Sequence, residues 1–172
     1  MKYSIYFLLF LLCALCSCDR IKNKGKKIAH KSEIIVKSKI KDVIDKIFPI
    51  FDSYQPDTKY NKKRFKDFLE IELQPDVKEL YCYGDFFGAD YKVLFSFTCD
   101  TATIQRIIEK KNLKQFSDNM NEGLHFGEDF HWWNKNKILE IKPFKSGIEN
   151  EFWQFLWYDK ENKKAYYQEF SL

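Results

Sequence analysis

The segment GLHFGEDFHWWNK, residues 123–135, gathers the side chains in this sequence best suited to chemistry. His125, Glu128, Asp129 and His131 fall within it, followed by the adjacent Trp132 and Trp133. Imidazole and carboxylate groups both ligate zinc and both exchange protons near neutral pH. An H-E-x-x-H spacing is absent, however, and no helical period aligns these side chains on one face, so the same residues also read as a polar loop closing over a core. In an extended segment Trp132 and Trp133 point to opposite sides, which lets one enter a core while the other stacks on a sugar or a partner protein; burial of both in the core is the alternative that large aromatics more often take. Trp132, Trp133, His125 and His131 are therefore the candidate ligand-binding residues. No catalytic residue, cofactor or metal is assigned. G-x-S-x-G, G-x-x-x-x-G-K and G-x-G-x-x-G do not occur, which removes the acyl-transfer and nucleotide-binding signatures.

The elements that must position this segment follow from periodicity. Between residues 31 and 51 the apolar side chains Ile40, Val43, Ile44, Ile47, Phe48 and Phe51 recur at helical spacing, opposite Lys37, Lys39, Lys41 and Lys46. Such a helix either packs on its own domain or lies on a membrane. A short helix is expected over KKRFKDFLEI (62–71), ending before Pro75. ELYCYGDF and YKVLFSFTC alternate around residues 87–90 and predict a β-hairpin. Asp100 or Thr101 caps a further helix carrying Ile104, Ile107 and Ile108; Asp100-Thr101-Ala102 also resembles a short bacterial O-glycosylation site. KILEIKPF (137–144) is expected to be a strand. EFWQFLWYD and KKAYYQEFSL predict a second hairpin in which Trp157 meets Tyr166 and Trp153 meets Phe170. The order of elements predicts an α+β fold: an antiparallel sheet of about five strands with helices packed on one face.

Five cysteines stand at positions 13, 16, 18, 82 and 99. With the hairpin turn at Gly88-Ala89, Cys82 faces Phe95 and Cys99 faces Lys78. The two sulfurs then lie about 13 Å apart along the strands, beyond disulfide reach, so both are expected to be free and buried.

The amino terminus carries the clearest address. Lys2 precedes an uncharged apolar run from Ile5 to Leu15, too short to span a bilayer comfortably, and small residues follow. The sequence Leu15-Cys16-Ser17-Cys18 resembles the lipobox of bacterial lipoproteins, with Cys16 where Ala, Ser or Thr is usual. The resemblance implies a signal peptide over 1–17, lipidation of Cys18 as the first mature residue, and a location at the cell membrane or outer membrane with the domain outside the cytoplasm. Asp19 resembles an inner-membrane retention signal of enteric bacteria. Residues 18–31 then form a lipidated basic tether and 32–172 a single globular domain.

Charge agrees with this arrangement. Residues 19–66 hold fifteen Lys or Arg against six Asp or Glu, whereas residues 67–172 hold thirteen against nineteen. A basic segment near an anionic surface adds attraction to a lipid anchor, and export makes nucleic acid a poor partner. The expected function is that of a membrane-anchored envelope lipoprotein acting as a binding module toward an envelope protein or a glycan. The alternatives are an envelope hydrolase or metal-dependent enzyme centred on residues 125–131, and an immunity lipoprotein directed against a toxin.

Overall fold

A computed structural model of the chain describes residues 49–87, 90–116 and 129–171, together with the helical positions Val36, Lys39, Ile40, Val43 and Asp45. The chain divides into two compact units, Met1–Phe48 and Pro49–Leu172. Most of the helix expected over 31–51 lies outside the described residues. Its helical apolar positions Val36, Ile40 and Val43 are each more than half exposed; Phe51, the last of the expected stripe, is not helical and packs against the core of the second unit.

In the second unit α1 spans Lys59–Leu69, starting three residues earlier than its apolar pattern suggests because Thr58 caps it, its side chain accepting from the Asn61 N–H at 3.2 Å. The helix stops at Glu70, whose φ of 55° is left-handed. Asn61, Arg64, Phe65 and Leu69 form its buried face. The next helix, α2 (Thr101–Lys110), has Asp100 at its N-cap, but the Asp100 side chain makes no capping bond. Asp76 serves this end instead, accepting from the Asp100 N–H and the Thr103 hydroxyl, both at 2.8 Å. That leaves the Asp100 carboxylate to pair with Lys163 at 2.6 Å.

The six strands described are β1 (Lys78–Phe87), β2 (Asp90–Thr98), β3 (Lys114–Gln115), β4 (Phe144–Ile148), β5 (Phe152–Asp159) and β6 (Lys164–Ser171). They form one antiparallel sheet in the order β1-β2-β6-β5-β4-β3. The α+β class and the antiparallel sheet are as the sequence predicts, with six strands in place of about five. Both hairpin registers also agree: Cys82 faces Phe95, Trp157 faces Tyr166 and Trp153 faces Phe170. The first hairpin slips by one residue between Tyr81 and Lys78, where Glu79 adopts φ 50°. Lys78 consequently faces Thr98 and not Cys99.

KILEIKPF is not one strand. Its first half belongs to α3 (Lys135–Leu139), because Asn134 accepts from the Lys137 N–H at 3.0 Å and starts a helical turn. The strand begins at Phe144, directly after Pro143, which has no N–H for a ladder.

Each sheet face has its own core. On one face Phe65 and Leu69 of α1 and Ile104 and Ile107 of α2 pack over Leu80, Cys82, Phe95 and Tyr167. On the other, Trp132, Trp133 and Ile138 cover Leu94, Phe155, Trp157 and Tyr166. Full burial of each such side chain stabilises by about 1.5–3 kcal/mol relative to exposure. Cys82 and Cys99 are free and buried on the first face. Alkylation of the chain denatured without reductant is therefore expected to label both, as read by peptide mass; a linked Cys82–Cys99 peptide pair would contradict the register.

Candidate functional site

Of the residues singled out in the 123–135 segment, His125 and Glu128 lie outside the described residues. Asp129 is exposed and pairs with Lys135 at 2.6 Å, and that bond holds its carboxyl below the ordinary value. His131 is exposed and stands edge-on to Tyr81, ring centres 5.3 Å apart. The two tryptophans are both buried, as the core-packing alternative has it, and the segment is not extended. The Trp133 N–H donates to the Phe130 carbonyl at 3.0 Å, which closes a turn and sends both rings toward the sheet. Trp132 is only 5% exposed, stacked between Phe130 at 4.8 Å and Tyr81 at 5.6 Å, and its indole N–H donates to the Ser53 carbonyl at 2.7 Å. Trp133 is 3% exposed, edge-on to Trp157 and Tyr166. Both side chains are core here, where the extended reading leaves one ring for a ligand. Among the described residues no group of three or more His, Cys, Asp or Glu could hold a metal ion.

A second polar cluster has no precursor in the sequence reading. Glu169 is buried on the helix-covered face and accepts from the hydroxyls of Tyr91 at 2.6 Å and Tyr167 at 2.5 Å. Lys111, just past α2, places its ammonium 3.7 Å from Glu169 and 2.7 Å from Glu70. Burial raises both tyrosines, and the adjacent Glu169 charge raises them further. Glu70 is lowered, first by its hydrogen bond from Lys111. Two phenols kept protonated around a carboxylate, which uses both oxygens on them, make a closed rivet between β2, β6 and the ends of α1 and α2. Such a network fixes geometry rather than exposing a reactive group.

An open polar feature among the described residues lies at the β3 edge. A groove of about 390 Å³ is lined by Asn112, Lys114, Phe116, Lys145, Gly147 and Trp153, among others. Lys114 and Lys145 are directly opposed across the β3–β4 ladder, so their side chains rise on the same face. The Lys145 ammonium sits 4.1 Å from the centre of the Phe116 ring and 4.7 Å from that of Trp153, within cation–π range of both. Lys145 is 6% exposed and Phe116 37%. Gly147, paired with Trp153, makes the groove wall possible, since a Cβ there would come within 2.6 Å of the indole and 2.3 Å of the Phe152 carbonyl. Concave volume, aromatic walls and a few convergent polar groups are the attributes of a small-ligand site.

No family model matches the chain, and neither does a curated protein or a solved structure. No helix among the described residues is long and apolar enough to cross a membrane.

Proposed function

We propose that the chain is an exported bacterial lipoprotein, held at the membrane through lipid on Cys18, whose globular domain acts by binding. The anchor rests on Leu15-Cys16-Ser17-Cys18 following an apolar run, and on the basic excess of residues 19–66. The single observation that carries the binding reading is the β3-edge groove, in which Lys145 is held between Phe116 and Trp153 beside Lys114. The enzymatic alternative centred on residues 125–131 gains less from the geometry: Asp129 is engaged by Lys135 and His131 stands against Tyr81.

Cys18→Ser is the test of the anchor. In cells fed a radiolabelled or alkyne-tagged palmitate, the wild-type chain is expected to incorporate label and sediment with membranes, and the variant to lose both. Undiminished labelling of the variant would defeat the assignment.

A further inference from the structure

We infer that the helix carrying Val36, Ile40 and Val43 lies in the head-group layer of an anionic membrane, its apolar stripe toward the acyl chains and its lysines toward lipid phosphates. The inference rests on the lipid anchor at Cys18 and adds a second membrane contact to it.

Val36, Ile40 and Val43 stand at i, i+4 and i+7, which is one face of a helix, and are 55%, 53% and 55% exposed. A helix that packs on its own domain turns such a face inward. Here three aliphatic side chains in a row are open instead. The same period, continued along the sequence, adds Ile44 and Ile47 to the stripe. Single exposed apolar residues need no explanation, whereas a contiguous row marks a surface for a membrane or a partner.

Charge decides between the two. The lysines set against the stripe are not centred opposite it. At about 100° per residue the sequence puts Lys39 and Lys46 along one border of the stripe and Lys37 and Lys41 along the other, with Asp42 and Asp45 on the far side. Lys39 is exposed. Border lysines lay their stems along apolar surface and carry the ammonium up to the head groups, while carboxylates on the far side face water. Two copies joined stripe to stripe would set these lysine borders against each other, like charge on like. An anionic lipid surface turns the same borders into attraction. Residues 19–48 hold ten Lys or Arg against four Asp or Glu, which extends the complementarity beyond the helix.

Length and position agree. Twelve residues, 36 to 47, make a helix about 18 Å long, well short of a hydrocarbon core of about 30 Å. It therefore lies along the surface. Val36 follows Cys18 by eighteen positions, a reach of at most about 60 Å when fully extended. Lipid on Cys18 keeps the helix near the bilayer, where even a weak affinity is satisfied.

A fluorophore on the stripe of the lipidated chain, purified from membranes and reconstituted in vesicles, reads this directly. Cys82 and Cys99 are buried and Cys18 is occupied by lipid, so the thiol of Ile40→Cys takes an NBD label in the folded protein. In vesicles with about 30% phosphatidylglycerol, nitroxide-bearing acyl chains are expected to quench this label about twofold. In phosphatidylcholine alone, or with Lys39→Glu and Lys46→Glu added, quenching should be slight, and raising salt from about 0.05 to 0.5 M should reduce it. A label at Ser38→Cys, on the far side, should stay unquenched. Ile40 and Lys39 are exposed, so substitutions there should leave the melting temperature unchanged; Val43→Cys repeats the measurement on the same stripe. An unquenched stripe on a lipid-bearing chain that floats with anionic vesicles would overturn the inference and leave the anchor intact. Equal quenching in both lipids would overturn the anionic assignment. Emission that shifts to the blue with chain concentration, unquenched by the acyl nitroxides, would give the stripe to a second copy and overturn it too. Peptide mass reads the acyl groups on Cys18 separately, so loss of the anchor reading is distinguished from loss of this one.

Discussion

Asn61→Ala is expected to lower the unfolding free energy by about 3 kcal/mol, although alanine is the better helix former. Asn61 is fully buried in α1 and serves as the hub of the segment entering that helix. Its Nδ2, with two hydrogens to share, lies 2.9 Å from each of the carbonyls of Asp52, Gln55 and Leu80 and ties the three together. Its Oδ1 accepts from the Asp52 N–H at 3.1 Å and the Cys82 thiol at 3.0 Å. A typical intramolecular hydrogen bond nets about 1 kcal/mol, and buried groups left unpaired add their desolvation cost; the propensity gain of about 0.5 kcal/mol does not offset this. Thr58→Ala removes a single cap bond at the start of the same helix and should cost about 1 kcal/mol. Asn61→Asp keeps an acceptor but sets a charge against three carbonyls, and should be the worst of the three. Urea midpoints for the series give the ranking, and an Asn61→Ala variant no weaker than Thr58→Ala would show that the hub does not hold the segment.

The parts of this fold legible in the sequence are those encoded over short range. Both hairpin registers follow from alternation on either side of a compact turn, and α2 follows from isoleucines at helical spacing beyond Asp100. The one-residue slip at Glu79 is invisible to alternation, because it depends on Asp57, whose carboxylate accepts the N–H groups of Glu79 and Leu80 from twenty-odd positions upstream. The short helix α3 spans five residues, less than two turns, too few to display a helical period, while Leu139, Glu140, Ile141 and Lys142 alternate as in a strand. Adjacent tryptophans suggested two directions only if the chain were extended; a turn closed by the Phe130 carbonyl was the missing fact.

The groove and the Glu169 rivet were illegible for a different reason. Each is assembled from polar residues that look like ordinary surface until the strand order is known. Tyr91 and Glu169 are 78 positions apart and meet because β6 lies against β2. Lys114 and Lys145 meet because a two-residue strand closes the far edge of the sheet. A buried Lys or Glu is improbable from composition alone, since these residues are almost never fully buried without partners. Trp153 was legible only as the cross-strand partner of Phe170; that its ring lies over Gly147 follows from β4 pairing with β5.

Alkaline pH should unfold the domain steeply, and the thiols should set the start of the decline. Burial pushes Cys82 up to about 12, and burial followed by the charges of Asp76 and Asp100 pushes Cys99 up to about 12. Tyr91 and Tyr167 are raised as well, by burial and by Glu169. A group whose folded pKa is raised contributes stability that is complete below its unfolded pKa and is lost as pH climbs toward the folded value. For the thiols that window opens near pH 8.5 in the unfolded chain and runs to about 12; the tyrosines join near pH 10. Within it each thiol removes about 1.4 kcal/mol per pH unit. Against a total stability of about 5–15 kcal/mol, the domain unfolds before either thiol ionises in place. Glu70 acts in the opposite direction, since its lowered carboxyl loses its contribution only in acid. Urea unfolding between pH 7 and 10.5, with reductant present, separates the thiols from the tyrosines. The Cys82→Ala, Cys99→Ala double variant will be weaker at pH 7 because it loses packing and the bond to Asn61, but its stability should stay flat from pH 8.5 to 10, where the wild type falls. An equal slope in both proteins would mean that the thiols are not the groups whose ionisation drives unfolding.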